Sequence, residues 1–246
     1  MPGSGKKRVI IITGASRGLG RALALRFGRA GERVVVNFLS NEQAARAVAD
    51  GVFQNGGEAI LYGANVKNTV EIETMVSYTL ERWGSIDVLI NNAALTKDRI
   101  ILRMSEAEWD DVSDANLSGP FHCIRAVTDH MIKQLSGHII NISSIVGEQG
   151  REGQANYAAA KAGLIGLTKA AAKELGLFNI QVNAVLPGYL PTEMGATISN
   201  DMHNRILREN TLGRGTDADE VAELIYQLSL THNVSGQVFN LDSRIL

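Results

Sequence analysis

Seven strand-sized apolar runs, at residues 9–12, 34–36, 59–62, 88–90, 139–142, 182–186 and 238–241, alternate with longer stretches whose apolar residues recur at helical spacing, as in 19–30, 44–54, 70–83 and 158–175. Few folds accept that order. Strands that are apolar on both faces must be covered on both faces, and parallel neighbours need crossovers long enough to hold a helix. The pattern therefore predicts an α/β fold with a doubly wound parallel sheet. Only four prolines occur, and no Pro/Ser-rich linker, charge block or repeat divides the 246 residues, so residues 1–246 read as a single domain. Sheets of this kind bind ligands beyond the carboxyl ends of their strands, near the point where strand order reverses. Chemistry is expected in the loops that follow the apolar runs.

Composition narrows the function classes. Lys and Arg number 24 against 26 Asp and Glu, giving a formal net charge of -2, so no overall positive field is available to hold nucleic acid. The single Cys123 and five scattered His indicate neither a disulfide framework nor a metal site. The polar residues 1–8 lead into an apolar run too short for a signal peptide, and no stretch reaches the roughly 18 apolar residues a membrane helix needs. A soluble, cytoplasmic protein is expected.

Directly after the first run comes Thr13-Gly14-Ala15-Ser16-Arg17-Gly18-Leu19-Gly20, followed by a helix-forming stretch from Arg21. Glycines permit a sharp turn and let a pyrophosphate approach main-chain N–H groups, and the start of a helix favours an anion. The plain alternative is an ordinary βα turn. In this context the expectation is a dinucleotide site walled by Gly14, Ser16, Arg17, Gly18, Leu19 and Gly20.

A second constellation follows the fifth run: Asn141-Ile142-Ser143-Ser144, then Tyr157-Ala158-Ala159-Ala160-Lys161. Tyr157 and Lys161 are four apart in Ala-rich sequence, so a helix puts both on one face. A phenol near pKa 10 is a poor base at neutral pH, and a neighbouring ammonium favours its phenolate. In carbonyl reduction the same hydroxyl, protonated, gives its proton to the substrate oxygen, where developing charge rewards an additional hydrogen-bond donor such as Ser143 or Ser144.

The glycine spacing and the Tyr-x-x-x-Lys pair resemble the short-chain dehydrogenase/reductase family, and the resemblance runs from Val9 to Leu241. It implies a Rossmann-type fold, selects Ser144 over Ser143 as the catalytic serine, and makes Asn116 a fourth catalytic residue that holds a water linking Lys161 to solvent. It also implies that Asn65 and Val66 contact adenine, that Asn92 and Ala93 belong to a cofactor-binding loop in which Ala94 replaces the usual Gly, and that the segment with Pro187, Gly188, Leu190 and Thr192 flanks a nicotinamide. Around residues 190–212 a lid over the substrate is expected. The end of the second strand, Asn37-Phe38-Leu39-Ser40-Asn41, lacks the acidic residue that binds the ribose of NAD, whereas Arg17 offers a guanidinium fork to a phosphate. NADPH is therefore expected, with Asn37 and Ser40 beside it.

Within the family, the segment from Thr96 to Met104 with Trp109, the run Gly153-Gln154-Ala155-Asn156-Tyr157, and Leu212-Gly213-Arg214 resemble the 3-oxoacyl-acyl-carrier-protein reductases of fatty-acid synthesis. The implied substrate is a 3-oxoacyl thioester, the implied partner an acyl carrier protein, and the implied assembly a homotetramer packed through helices around 116–134 and 157–175. Two departures stand out. Leu135 and Phe178 occupy positions where that subfamily docks its carrier with basic residues, and Ser243-Arg244 replaces its Gly-Gly. A CoA thioester or another ketone remains an alternative substrate, and a catalytically silent dinucleotide-binding subunit an alternative role, although the Tyr/Lys pair is intact.

Overall fold

The structure, a computed structural model, describes residues 7–190 and 200–244, with side chains left out over 200–203. Seven parallel strands form one sheet: β1 (Val9–Ile12), β2 (Arg33–Phe38), β3 (Glu58–Gly63), β4 (Val88–Asn91), β5 (Gly137–Ile142), β6 (Ile180–Leu186) and β7 (Val238–Asn240), in the order β3-β2-β1-β4-β5-β6-β7. Each predicted run is a strand. The order reverses between β1 and β4, so the loops after these two strands face each other across a crevice.

Nine helices are described: α1 (Gly18–Arg29), α2 (Glu42–Gln54), α3 (Thr69–Trp83), α4 (Glu106–Ser113), α5 (Gly119–Gln134), α6 (Val146–Gln149), α7 (Ala155–Leu175), α8 (Asn200–Glu209) and α9 (Ala218–Leu228). Alternation of side chains along the strands splits the core into two layers. Ile10 and Ile12 of β1 pack with Leu23, Phe27, Val48 and Ile225 from α1, α2 and α9, while Ile11 packs with Met75, Val127 and Leu175 from α3, α5 and α7. Burying both faces explains why these strands read as unbroken apolar runs.

Helix starts separate structure from function. Asn41 caps α2, Asn68 caps α3, Asp217 caps α9, and Ser105 and Glu108 form a capping box on α4. The start of α1 has no side-chain cap and no acidic residue in its first turn. Its N–H groups and positive dipole end stay available to an anion arriving from the crevice. Of the cover expected over 190–212, α8 is helical, with Ile206 buried; residues 191–199 lie outside the described part.

Candidate active site

Three loops lock together above the sheet. Gly14 has φ +62°, and a Cβ there would sit 2.9 Å from the Ala93 Cα; a Cβ on Gly20 would sit 2.3 Å from the Gly14 carbonyl oxygen. No side chain fits either place, so the turn closes tightly on the loop after β4 and α1 starts close beneath it. The Thr13 hydroxyl accepts from the N–H groups of Asn92 (2.9 Å) and Ala93 (3.0 Å), and Asn92 Nδ2 donates to the carbonyls of Thr13 (2.9 Å) and Gly14 (3.1 Å). Asn37, buried at the end of β2, accepts from Gly14 N–H and donates to the carbonyls of Tyr62 and Ala64. Its amide braces the turn.

A cleft of about 1010 Å³ opens over these loops. Most of the residues expected to hold the cofactor line it: Gly14, Ser16, Arg17, Gly18 and Leu19 from the glycine turn, Asn37 and Ser40 after β2, Asn65 and Val66 after β3, Asn92 and Ala93 after β4, and Pro187, Gly188 and Leu190 after β6. Gly20 does not; it is buried beneath the turn, where its missing side chain lets α1 approach. Thr192 lies outside the described residues. Ala94 costs nothing visible, because among the described residues only Leu135 and Asn179 combine a side chain with positive φ.

Ser144, Tyr157 and Lys161 line the same cleft. Tyr157 and Lys161 share one face of α7, with Lys161 Nζ 5.6 Å from the Tyr157 ring centroid. The two serines divide: Ser143 is buried and donates to the Lys161 carbonyl (2.9 Å), whereas Ser144 hydrogen-bonds the Tyr157 hydroxyl and accepts from Val146 N–H.

The electrostatics differ from the expectation of a phenol made acidic by its lysine. Burial pushes the Tyr157 phenol up to about 12, with the Ser144 hydrogen bond working against the rise and the Asp98 carboxylate adding to it. Burial also pushes the Lys161 ammonium down to about 7, and its Nζ donates to the Ile142 carbonyl at 2.7 Å. Desolvation is the largest cause of both shifts and favours the neutral form of each group, which leaves Tyr157 a proton donor.

Asn116 is fully buried in a π-helical turn, Asp114–Ser118, and is not among the cleft-lining residues. Its Nδ2 donates to the carbonyls of Leu95 and Val112, and its Oδ1 accepts from Leu95 N–H. Asn116 thus pins the β4 loop, whose Leu95 does line the cleft.

Several residues that the sequence offers only as parts of longer segments take on a task in the fold. Asp98 accepts from Gln154 Nε2 through both oxygens at 2.9 Å, tying the β4 loop to the start of α7. Asn156 strengthens that tie, donating to the carbonyls of Lys97 and Glu108 and accepting from Tyr157 N–H. Arg151 and Arg244 line the cleft as well. Contact between distant segments assigns Asp98, Gln154 and Asn156 their task, and Arg151 is revealed by the fold alone. Among the described residues no cluster of metal-binding side chains occurs and no helix is long and apolar enough to cross a membrane.

Comparisons with known proteins agree with this geometry. The sequence matches the short chain dehydrogenase family over residues 8–203. It is 47% identical to 3-oxoacyl-[acyl-carrier-protein] reductase FabG of Staphylococcus epidermidis, over 94% of this chain and 96% of that protein. Identity to 3-oxoacyl-[acyl-carrier-protein] reductase of Synechocystis sp. is 45%, over 96% and 95% of the two chains. A crystal structure from Sinorhizobium meliloti, described as a short-chain alcohol dehydrogenase, superposes with a TM-score of 0.91 at 29% identity, covering 96% of this chain and 95% of the other.

Proposed function

The chain belongs to the short-chain dehydrogenase family, and from that membership we propose that it reduces a 3-oxoacyl thioester to the 3-hydroxyacyl thioester with NADPH. The chain is an oxidoreductase acting on CH–OH/C=O groups with a nicotinamide dinucleotide. The observation that carries this reading is Ser144, Tyr157 and Lys161 lining one cleft with the uncapped start of α1.

The residues fit such a cofactor. The Gly14 turn leaves no room for a side chain, and the N-terminus of α1 points dipole and N–H groups at a pyrophosphate. Arg17 and Ser40 line the cleft after β1 and β2, where no acidic residue stands to repel an additional ribose phosphate. Both support NADPH. Asn65 and Val66 flank the adenine end, and Pro187, Gly188 and Leu190 the nicotinamide end.

When bound, the dinucleotide supplies the hydride that the ketone carbon receives. Tyr157 donates its hydroxyl proton to the ketone oxygen, and Ser144 donates a hydrogen bond to that oxygen as charge builds on it. Because burial keeps the phenol protonated, it enters the reaction in the donor state. Lys161 offers a positive charge near the ring once Tyr157 has given up its proton, and Asn116 holds the loop that closes the cleft from the β4 side. A cytoplasmic homotetramer completes the proposal, and the names of its relatives support acyl chains on a carrier protein as its substrates.

The test is a substrate panel of acetoacetyl-CoA, carrier-linked 3-oxoacyl chains and simple ketones, followed by NADPH oxidation. Turnover of thioesters well above simple ketones is expected. No oxidation of NADPH with any thioester would overturn the reading and favour the silent subunit. Light scattering of the purified protein checks the tetramer.

A further inference from the structure

The cleft is far more basic than the chain that forms it. Against a formal net charge of -2, its lining includes six cations, Arg17, Arg21, Lys67, Arg151, Lys161 and Arg244, and two carboxylates, Asp98 and Asp111. Most of these have an evident task. Lys67 pairs with Asp111 at 2.8 Å, Lys161 holds the Ile142 carbonyl, and Arg17 and Arg21 flank the start of α1, where dinucleotide phosphates belong. Arg151 and Arg244 are left over.

Both are placed for an anion. Arg151 lies in the turn between α6 and α7, six residues before Tyr157, and is half-buried. Among the described residues, its guanidinium has no hydrogen-bond or ion-pair partner. Arg244 follows β7, and its Nε and Nη2 fork onto the buried Asp242 carboxylate at 2.8 and 2.5 Å. Thr211 N–H and its hydroxyl fix the same tail through the Ser243 carbonyl at 3.1 and 2.8 Å. One edge of the guanidinium is thus held in place and Nη1 remains for a second acceptor, a preorganised arrangement that a flexible lysine cannot copy.

A 3-oxoacyl group offers only carbonyl oxygens to such a pair; the anion of its thioester is the phosphate on the pantetheine arm, which CoA and a carrier protein share. We infer that Arg151 and Arg244 form an anion subsite in the cleft that grips this arm phosphate and so determines which thioesters the enzyme binds. The inference rests on the thioester reading above and goes further by assigning the residues that select the arm. Neither residue touches the reacting carbonyl, so the subsite governs KM and leaves kcat alone.

Steady-state kinetics at saturating NADPH test it with acetoacetyl-4′-phosphopantetheine, acetoacetyl-CoA and the phosphate-free acetoacetyl-N-acetylcysteamine thioester. For Arg151→Gln, loss of a charge-assisted contact at a half-exposed site is expected to raise KM for both phosphorylated substrates about tenfold, with kcat unchanged and the phosphate-free thioester unaffected. Arg151→Lys should recover part of the loss, and Arg244→Gln, checked for folding by its melting temperature, should share the phenotype. An equal KM change on all three substrates, or none, overturns the inference while the thioester reading stands. A change confined to CoA also overturns it and points to the adenosine phosphates. Calorimetric titration with free 4′-phosphopantetheine reads the subsite without turnover: weaker binding to R151Q than to the parent supports it, and equal or absent binding refutes it even if no thioester is reduced.

Discussion

Replacing Lys161 by Met should make the protein more stable while disabling it. Lys161 is 2% exposed, faces no carboxylate, and titrates at about 7 where an ordinary lysine titrates at 10.5. That gap corresponds to about 5 kcal/mol of stability withheld at or below pH 7. Against it stands the hydrogen bond from Nζ to the Ile142 carbonyl at 2.7 Å, whose loss costs up to about 3 kcal/mol. Methionine keeps the length and packing of the side chain, so the net gain is about 2 kcal/mol, or roughly 4–8 °C in melting temperature for a chain of this size. The sign depends on pH. A folded-state pKa below the unfolded value means the unfolded chain binds more protons between about pH 7 and 10.5, so the parent gains stability as pH rises through that window and the variant does not. Thermal and urea unfolding of the cofactor-free proteins at pH 7 and pH 9 should show K161M ahead at pH 7 and level or behind at pH 9. A variant less stable than the parent at pH 7, by an amount that does not change with pH, would refute the claim that burial depresses this lysine.

Other perturbations probe neighbouring links. Tyr157→Phe removes the proton donor and leaves the ring in place, so kcat should fall by about 10²–10⁴ with cofactor binding retained; near-normal turnover would remove Tyr157 from the chemistry. Arg17→Ala should lower the preference for NADPH over NADH about tenfold, read as the ratio of kcat/KM values, and a parent enzyme that prefers NADH would contradict the assignment. Gly14→Ala forces a side chain into positive φ against Ala93 and should cost about 1–3 kcal/mol in urea unfolding together with weaker cofactor binding; an unchanged Kd would mean the turn is not the cofactor cradle. His138, pushed down to about 4 by burial, with Arg8 and His232 adding to the effect, stays neutral when folded but protonates near 6.5 when unfolded. Stability should therefore fall as pH drops from about 6.5 towards 4, by about 3 kcal/mol at most, and His138→Gln should flatten that decline in a pH series of melting curves.

The strands themselves and the placement of the two motifs were legible because their causes are local. A strand covered on both faces is predominantly apolar, so β1, which is apolar throughout, and most of β4 and β6 announce themselves in a few residues. Gly14 must be glycine to close its turn, and a spacing of four puts Tyr157 and Lys161 on one face of any helix. Spacing also marked Ser144, through resemblance, but could not show Ser143 engaged with the Lys161 carbonyl.

Folding settled the rest. Asn116 reads as a polar residue in a helix, yet its amide is occupied by Leu95, brought to it from the β4 loop. Arg151 and Arg244 are 93 positions apart, and only the fold makes both of them linings of one cleft. The ionisation of Tyr157 and Lys161 ran opposite to what their adjacency implied for the phenol, because a charge responds to all the matter that displaces water around it and not just to its nearest neighbour on the chain. Periodicity and steric necessity are written residue by residue; desolvation is a property of the assembled interior, where segments far apart in sequence decide together how much water each group keeps.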